Sequence, residues 1–323
     1  MTAIPTISVV IPTFNREQFI GEAIQSALNQ TCLPLEIIVI DDGSTDRTEQ
    51  VVRGFSSPIP IRYHWQQNQW QASALNQGVS MARGDWVAFL DSDDVWYPHK
   101  LAVQVAAIEA HPKIPFFYAK MDYFDTDEAG HVRWVERKSR PVLEPLMFHG
   151  LPNIHVPTVV MRKDVFVKAG GFNPSLRIGE SWEFFTRLAL THPIHCVDQS
   201  LAKQRYHPNQ ITRELRVTAD HFHRFHARMW DIWRNDPKKH AILNRYSGKV
   251  YAELGRYFLG TRDYDRAREC YRRSLSYHPW SLKSLRRWVI SNLPGIRDRY
   301  SQHLRPVGDS RDKKSSESPT ASQ

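Results

Sequence analysis

The stretch DWVAFLDSDDVW, residues 85–96, decides how this chain is read. Five apolar residues, Trp86-Val87-Ala88-Phe89-Leu90, run straight into Asp91-Ser92-Asp93-Asp94. The apolar run reads as a buried strand. Three carboxylates within four residues repel one another, and each neighbour favours the neutral form of the next. Either a cationic group joins them, or the segment is a solvated acidic turn.

Working outward, strand and helix patterns alternate over the first 120 residues. Ile7-Ser8-Val9-Val10-Ile11 is a β-branched run that Pro12 is expected to stop. Phe19, Ile20, Ala23, Ile24, Ala27 and Leu28 recur at helical spacing. Residues 35–40 (LEIIVI) form a second strand. After it, Ser44 or Thr45 could cap a helix containing Val51 and Val52. Residues 61–65 form a third strand, residues 72–81 a helix, and Pro98 opens another helix to about Glu109. Such alternation implies a largely parallel sheet covered on both faces. Ligands of such sheets bind beyond the carboxyl ends of the strands. Three polar segments fall there: Pro12-Thr13-Phe14-Asn15, Asp41-Asp42-Gly43-Ser44 and Asp91-Ser92-Asp93-Asp94. Further on, residues 124–135 (FDTDEAGHVRWV) suggest a hairpin turning at residues 127–130. Residues 156–161 look strand-like, and residues 181–190 helical.

The chain has 323 residues, 41% hydrophobic and 24% charged, which suits packed domains. Cys32, Cys196 and Cys270 are scattered without disulfide or metal-ligand spacing, as expected in a reducing cytosol. No basic-then-apolar leader and no run of ~20 apolar residues is present, so a cytoplasmic protein is expected. The net charge of +9 is unevenly spread. Residues 216–323 carry 23 Lys and Arg against 11 Asp and Glu, leaving 20 against 23 in the first 215. That basic third suits an anionic membrane surface, an acidic partner, or simply a solvated helical face. No nucleic-acid motif accompanies the charge, and no nucleic-acid partner is expected. His221, His223 and His226 invite a metal reading, but no cysteine or carboxylate completes a ligand set. Trp230 and Trp233 read as helix-packing residues.

Beyond residue 216 the pattern is helical. Ala252, Gly255, Tyr257, Gly260, Tyr264, Ala267, Tyr271, Leu275 and Pro279 follow a spacing that resembles one tetratricopeptide unit of ~34 residues. A lone unit cannot bury its own face, so it should pack on neighbouring helices. Residues 305–323 are polar, basic and Ser-rich, a composition typical of disorder. The expected division is therefore 1–215, 216–303 and a tail from 304 to 323.

The segments ISVVIPTFNREQFIGEAIQSALNQT, EIIVIDDGSTDRT, ALNQGVSMARGDWVAFLDSDDVWYPHKL and the later GGFN to GESWEFFTRLAL occur in order. Together they resemble family 2 glycosyltransferases over roughly residues 5–215. The resemblance implies a GT-A fold: an α/β, Rossmann-like, mostly parallel sheet with helices on both faces, here followed by a small all-α region. It implies sugar transfer from a nucleotide-sugar, typically a UDP-sugar, to a glycan or lipid-linked acceptor, with inversion and with Mg2+ or Mn2+. Asp91-Ser92-Asp93 matches the family's DxD motif. Asp93 would contact the metal and Asp91 the metal, its water or the ribose, with Asp94 able to substitute. Hard oxygen ligands suit these cations. By the same resemblance Asp42 would hydrogen-bond the nucleobase, while Pro12, Thr13 and Asn15 form the floor beneath it. Arg83 would lie by the diphosphate, where a guanidinium pairs well with phosphate oxygens; a surface arginine at a helix end is the plain alternative. Arg205 and His207 fit an Arg-x-His near the diphosphate, though structural roles suit them equally. Asn76 and Gly78 read as structural.

One position departs from the family. An inverting transferase needs a base for the acceptor hydroxyl. Family members commonly place it as the Asp of a Glu-Asp pair, but here Glu180-Ser181-Trp182-Glu183 puts Ser181 there. Glu180 or Glu183 could replace it, with Glu180 preferred. A carboxylate at a helix N-terminus is also common for electrostatic reasons alone. The departure leaves a second possibility, a non-catalytic scaffold of the same fold that binds partners through its helical region. The basic helices could equally hold the chain at the cytoplasmic membrane face.

Overall fold

The computed structural model describes residues 5–126, 132–134, 154–207, 215–302 and 304. The chain divides between Leu243 and Asn244 into two compact units. The first unit holds every described strand: β1 (Ile7–Thr13), β2 (Glu36–Asp41), β3 (Ile61–Trp65), β4 (Trp86–Phe89), β5 (Val95–Trp96), β6 (Phe116–Thr126), β7 (Val132–Trp134), β8 (Val160–Arg162) and β9 (Ile194–Tyr206). They form one sheet in the order β3-β2-β1-β4-β8-β6-β9-β5, with β7 on β6. Pairing is parallel across β3-β2-β1-β4. It turns antiparallel where β8 joins β4 and β6, then parallel again between β6 and β9.

β1, β2 and β4 are buried along their whole length, as their continuous apolar runs demand. Alternate residues serve opposite layers. Val10, Ile38, Ile40, Val87 and Phe89 pack with helix α3 (Trp70–Met81) and with Phe166, Phe184 and Phe185. Val9, Ile11, Ile37, Val39 and Ala88 pack with helices α1 (Ile20–Leu28) and α4 (Lys100–Ala110). Each fully buried Val, Leu, Ile or Phe contributes roughly 1.5–3 kcal/mol. Gly78 lets α3 lie against β1: a Cβ there would stand 2.3 Å from Val10 Cγ1.

Several local expectations change. β1 continues through Pro12 to Thr13, because Pro12 overhangs the end of β4, whose Phe89 pairs with Val10. The missing amide N–H therefore interrupts no ladder on that side. Helix α2 (Thr48–Arg53) is not capped by Ser44 or Thr45. Asp46 Oδ1 accepts from Thr48 N at 3.0 Å, while Ser44 Oγ accepts from Asn15 N at 2.8 Å. Residues 156–161 split into a 3-10 turn (Val156–Thr158) and β8. β6 and β7 pair antiparallel, Thr126 opposite Val132, and the hairpin turn itself lies outside the described residues. Helices α5 (Lys163–Lys168), α6 (Glu180–Ala189) and α7 (Leu215–Ile232) complete this unit, and α8 (Pro237–Gly260) begins in it.

In the second unit α8 continues into α9 (Tyr264–Tyr277), α10 (Leu282–Ser291) and α11 (Pro294–Gln302). Gly255 faces the Tyr271 ring, where a Cβ would come within 2.9 Å of three ring atoms. Ser274 Oγ donates to Gly248 O at 2.6 Å, and Tyr271 and Ala267 are buried. Asp263 caps α9 by accepting from Arg266 N. These contacts give the small-residue helix crossing expected of a tetratricopeptide-like hairpin. Residues 305–323 lie outside the described residues.

Candidate active site

The acidic segment leaves the carboxyl end of β4 and enters β5 within five residues. β5 pairs antiparallel with β9, Val95 opposite Lys203. That short pairing draws the end of β9 onto the carboxylates. Arg205 N donates to Asp94 Oδ1 at 3.1 Å, and Arg205 Nε donates to Asp93 O at 3.3 Å. The Arg205 guanidinium also reaches Glu22 on α1 and lies over the Phe124 ring at 4.5 Å. His207 Nε2 sits 2.9 Å from Asp93 Oδ2, and Arg16 Nε sits 3.4 Å from the same oxygen. Gln71 Nε2, from the first turn of α3, donates to Asp91 Oδ1 at 2.9 Å.

The three carboxylates differ in charge. Burial together with the charges of Asp93 and Glu180 pushes Asp91 up to about 8. Burial, with Asp93 and Asp91 beside it, raises Asp94 well above the usual range. Burial would raise Asp93 too, but the His207 hydrogen bond and the Arg16 charge outweigh it and hold Asp93 below its ordinary value. Asp93 is thus the settled anion of the group. Among the described residues, Asp94 Oδ2 is buried with no hydrogen-bond partner.

Two strands away, Asp42 follows β2. Its Oδ1 accepts from Gln66 Nε2 at 2.8 Å and from Gln69 N at 2.9 Å. Asp41 is spent on structure, accepting from Ser44 N at 2.7 Å and Tyr63 Oη at 2.7 Å. Pro12 and Thr13 end β1 beside them, and Thr13 Oγ1 is buried without a hydrogen-bond partner among the described residues. Asn15 adopts a left-handed φ of 51° and its Oδ1 accepts from Thr45 N at 2.8 Å, tying the two strand-end loops together. Trp70 opens α3 with a φ of 72°, and the Arg177 guanidinium lies 4.1 Å from its ring centre.

α6 begins at Glu180 after Gly179, whose φ is 74°. A Cβ on Gly179 would lie 2.5 Å from the Phe225 ring of α7, so only glycine fits. Burial raises the Glu180 carboxyl, and its charge reaches Asp91. Glu180 thus acts electrostatically on the carboxylate group from the start of α6.

Two expected residues do not. Arg83 sits at the opposite end of the sheet: its backbone N donates to Glu36 Oε1 at 2.7 Å and to Ser8 Oγ at 3.2 Å, at the amino ends of β2 and β1. Gly84, Asp85, the four residues of β4 and Leu90 separate it from Asp91, and β4 with Leu90 alone spans roughly 16 Å at ~3.3 Å per residue. An exposed arginine there cannot meet a diphosphate at the carboxyl edge. Glu183 is fully buried and accepts from Arg187 Nε at 3.1 Å, Arg187 Nη2 at 3.1 Å and Arg228 Nε at 3.0 Å. A carboxylate shared by two guanidiniums is a structural anion, not a proton acceptor. Arg187 in turn donates to Gly171 O at 2.8 Å, and Asn76 holds Phe172 through both backbone atoms at 2.9 and 2.8 Å.

Sequence reading missed Arg16, Gln71 and Arg228. Arg16 was accessible by the rule that found Asn15, since it too follows the carboxyl end of β1. Gln71 opens a helix facing the same edge. Arg228 carries no local signal, because its partner lies 45 residues earlier.

Oxygen ligands for a cation are present in Asp91 and Asp93. The carboxyl of Asp91 stays anionic at neutral pH only with added countercharge, and Asp94 Oδ2 has no hydrogen-bond partner among the described residues, so the residues fit a hard divalent ion. Among the described residues, no three His, Cys, Asp or Glu side chains already surround one metal position.

An α/β sheet with this strand order and this acidic carboxyl edge defines a GT-A glycosyltransferase domain. Residues 8–170 match the family described as Glycosyl transferase family 2, and the chain belongs to that family. A Rickettsia prowazekii protein named an uncharacterized glycosyltransferase is 31% identical over 243 residues, covering 73% of this chain and 72% of that protein. A Rickettsia conorii protein of similar name is 30% identical over 214 residues, 65% of this chain but 35% of the relative. The chain thus spans about a third of that longer protein. Among solved structures, S. aureus TarS 1-349 in complex with UDP-GlcNAc superposes with a TM-score of 0.62 over 92% of each chain, at 18% identity.

Proposed function

We propose that the chain transfers a sugar from a UDP-sugar to a hydroxyl of a glycan or lipid-linked acceptor, with inversion at the anomeric carbon. The observation that carries this reading is the convergence of Asp91, Asp93, Arg205 and His207 at one sheet edge, with the charge of Glu180 acting on Asp91. The UDP donor is carried over from the TarS complex. Asp42 would read the nucleobase edge; its Oδ1 is already oriented by Gln66 and Gln69. Asp91 and Asp93 would hold Mg2+ or Mn2+. When bound, the cation supplies positive charge to the leaving diphosphate.

The protein's own residues divide the remaining work. Arg16 and His207 hold the Asp93 carboxylate, Arg205 holds the Asp93 backbone carbonyl, and the two guanidiniums supply positive charge beside the group. Glu180 takes the proton of the acceptor hydroxyl. Its raised basicity suits that step, because a general base works best with a pKa near the working pH. The acceptor oxygen forms the new bond to the anomeric carbon as the bond to the diphosphate oxygen breaks, and UDP departs with that electron pair. No covalent enzyme intermediate is needed.

The test is a panel of UDP-, GDP- and dTDP-sugars with Mn2+, scored for nucleotide release and binding. The parent protein should release UDP from one donor, and Asp93→Ala should abolish release. Glu180→Gln should keep UDP binding while losing about 10²–10⁴-fold in turnover. Absence of metal-dependent binding or turnover with every donor would leave the fold as a scaffold and overturn the reading.

A further inference from the structure

The second unit carries a helix with its faces reversed. α10 (Leu282–Ser291) buries Ser284 and Ser291 and turns its large apolar side chains outward. Ser284 faces Ser274 of α9 at 2.9 Å, so the inward side is a hydroxyl contact. Trp280, Leu282, Leu285, Val289, Leu293 and Ile296 are all exposed, Trp280 at 88% and Leu282 at 79%. Leu282, Leu285 and Val289, spaced by three and four, share one side of α10; Leu293 follows at the junction and Ile296 on α11. Trp288 extends the same surface. Scattered apolar residues on a surface are ordinary, but a contiguous patch marks a contact.

The surrounding charge identifies the contact. Lys283, Arg286 and Arg299 are exposed around the patch, with Arg287 and Arg297 half-buried beside them. From residue 280 to 302 the only acidic side chain is Asp298. A second copy of this chain would bring two basic rims together, which opposes self-association. Residues 305–323 hold one Val and no Leu, Ile or aromatic residue, so their composition offers nothing to cover the patch. Tryptophan and leucine ringed by lysine and arginine is the chemistry of the bilayer interface, where apolar side chains enter the acyl boundary and cations meet lipid phosphates.

We infer that the α10–α11 face is a membrane-docking surface for anionic phospholipid, lying in the plane of the bilayer. Among the described residues no helix is long and apolar enough to cross it. The inference is independent of the donor chemistry above.

Full-length protein would be co-sedimented with vesicles of phosphatidylcholine alone and of phosphatidylcholine mixed with phosphatidylglycerol. Binding should require the anionic lipid and weaken with added salt. Trp280→Ser combined with Leu282→Ser should reduce it at least about tenfold, and Lys283→Glu combined with Arg286→Glu by at least about tenfold as well. These positions are solvent-exposed, so circular dichroism and the melting temperature should match the parent. Equal sedimentation of parent and patch variants overturns the inference, as does failure of the parent to bind anionic vesicles. A concentration-dependent dimer that the Trp280→Ser, Leu282→Ser variant abolishes, without vesicle binding, would make this a copy-to-copy face instead.

Discussion

Glu183 and Glu180 lie one helical turn apart, and replacing each by Gln separates framework from chemistry. Glu183→Gln keeps the shape of the side chain but removes the charge that two guanidiniums share. Arg187 is left with a side chain only 26% exposed, while Arg228 retains Asp231 at 3.3 Å and partial access to water. Breaking a buried ion pair costs about 3–5 kcal/mol, and the access of Arg228 to solvent favours the lower end. For a unit of 243 residues, an unfolding entropy of ~2.1 cal/mol/K per residue turns about 3 kcal/mol into a fall of about 6 °C. Glu180→Gln removes a carboxyl that burial disfavours in its charged form, so its melting temperature should stay within about 2 °C of the parent. Scanning calorimetry reads the first quantity, and nucleotide release under saturating donor reads turnover. Glu183→Gln should lose stability and keep most of its turnover below its melting point. Glu180→Gln should do the reverse. If Glu183→Gln melted with the parent and yet lost turnover a hundredfold, the assignment of the two carboxylates would be wrong.

Two further outcomes follow from the core. Lys100 is fully buried, its Nζ donating to Gln104 Oε1 at 2.6 Å and lying 4.1 Å from the Trp96 ring centre, and burial lowers its pKa well below the ordinary value. Between that lowered value and ~10.4 the unfolded chain holds one proton more than the folded chain, so stability should rise with pH across that window by up to about 1.4 kcal/mol per unit. Urea titrations should find that slope reduced in Lys100→Met; an identical slope would exclude Lys100 as its source. Gly78→Ala should destabilise by about 1–3 kcal/mol, since its Cβ meets Val10 on a central strand, and Val10→Ala in the same chain should recover part of the loss.

The sheet half of this protein was legible because its strands announce themselves chemically. VVI, IIV and VAF are fully buried runs; the second and third run within one residue into Asp, and the first reaches Asn15 after Pro12, Thr13 and Phe14. An acid placed directly after a buried strand has to lie at the carboxyl edge, so Asp42, Asp91 and Asp93 could be located without coordinates. Strand polarity also held the answer for Arg83, which precedes β4 and therefore belongs to the amino edge; family resemblance pulled it to the wrong side. Glu183 was opaque for a different reason. Whether a helical carboxylate is a base or a strut depends on its partners, and Arg228 arrives from a helix beyond β9. The antiparallel graft of β5 on β9 was equally hidden, because two residues of strand carry no periodicity.

The seating of Phe225 on Gly179 and of Arg228 on Glu183 bears on how the gene could be shortened. A fragment ending near residue 215 would retain every described strand and every carboxylate of the site, yet strip the cover from the first turn of α6 and leave the buried Glu183 with Arg187 as its one guanidinium among those described. The smallest workable piece therefore has to include α7. Any attempt to exchange the acceptor side with a relative's must move these two helices as a pair, because the contact between them tolerates no side chain larger than hydrogen at its centre.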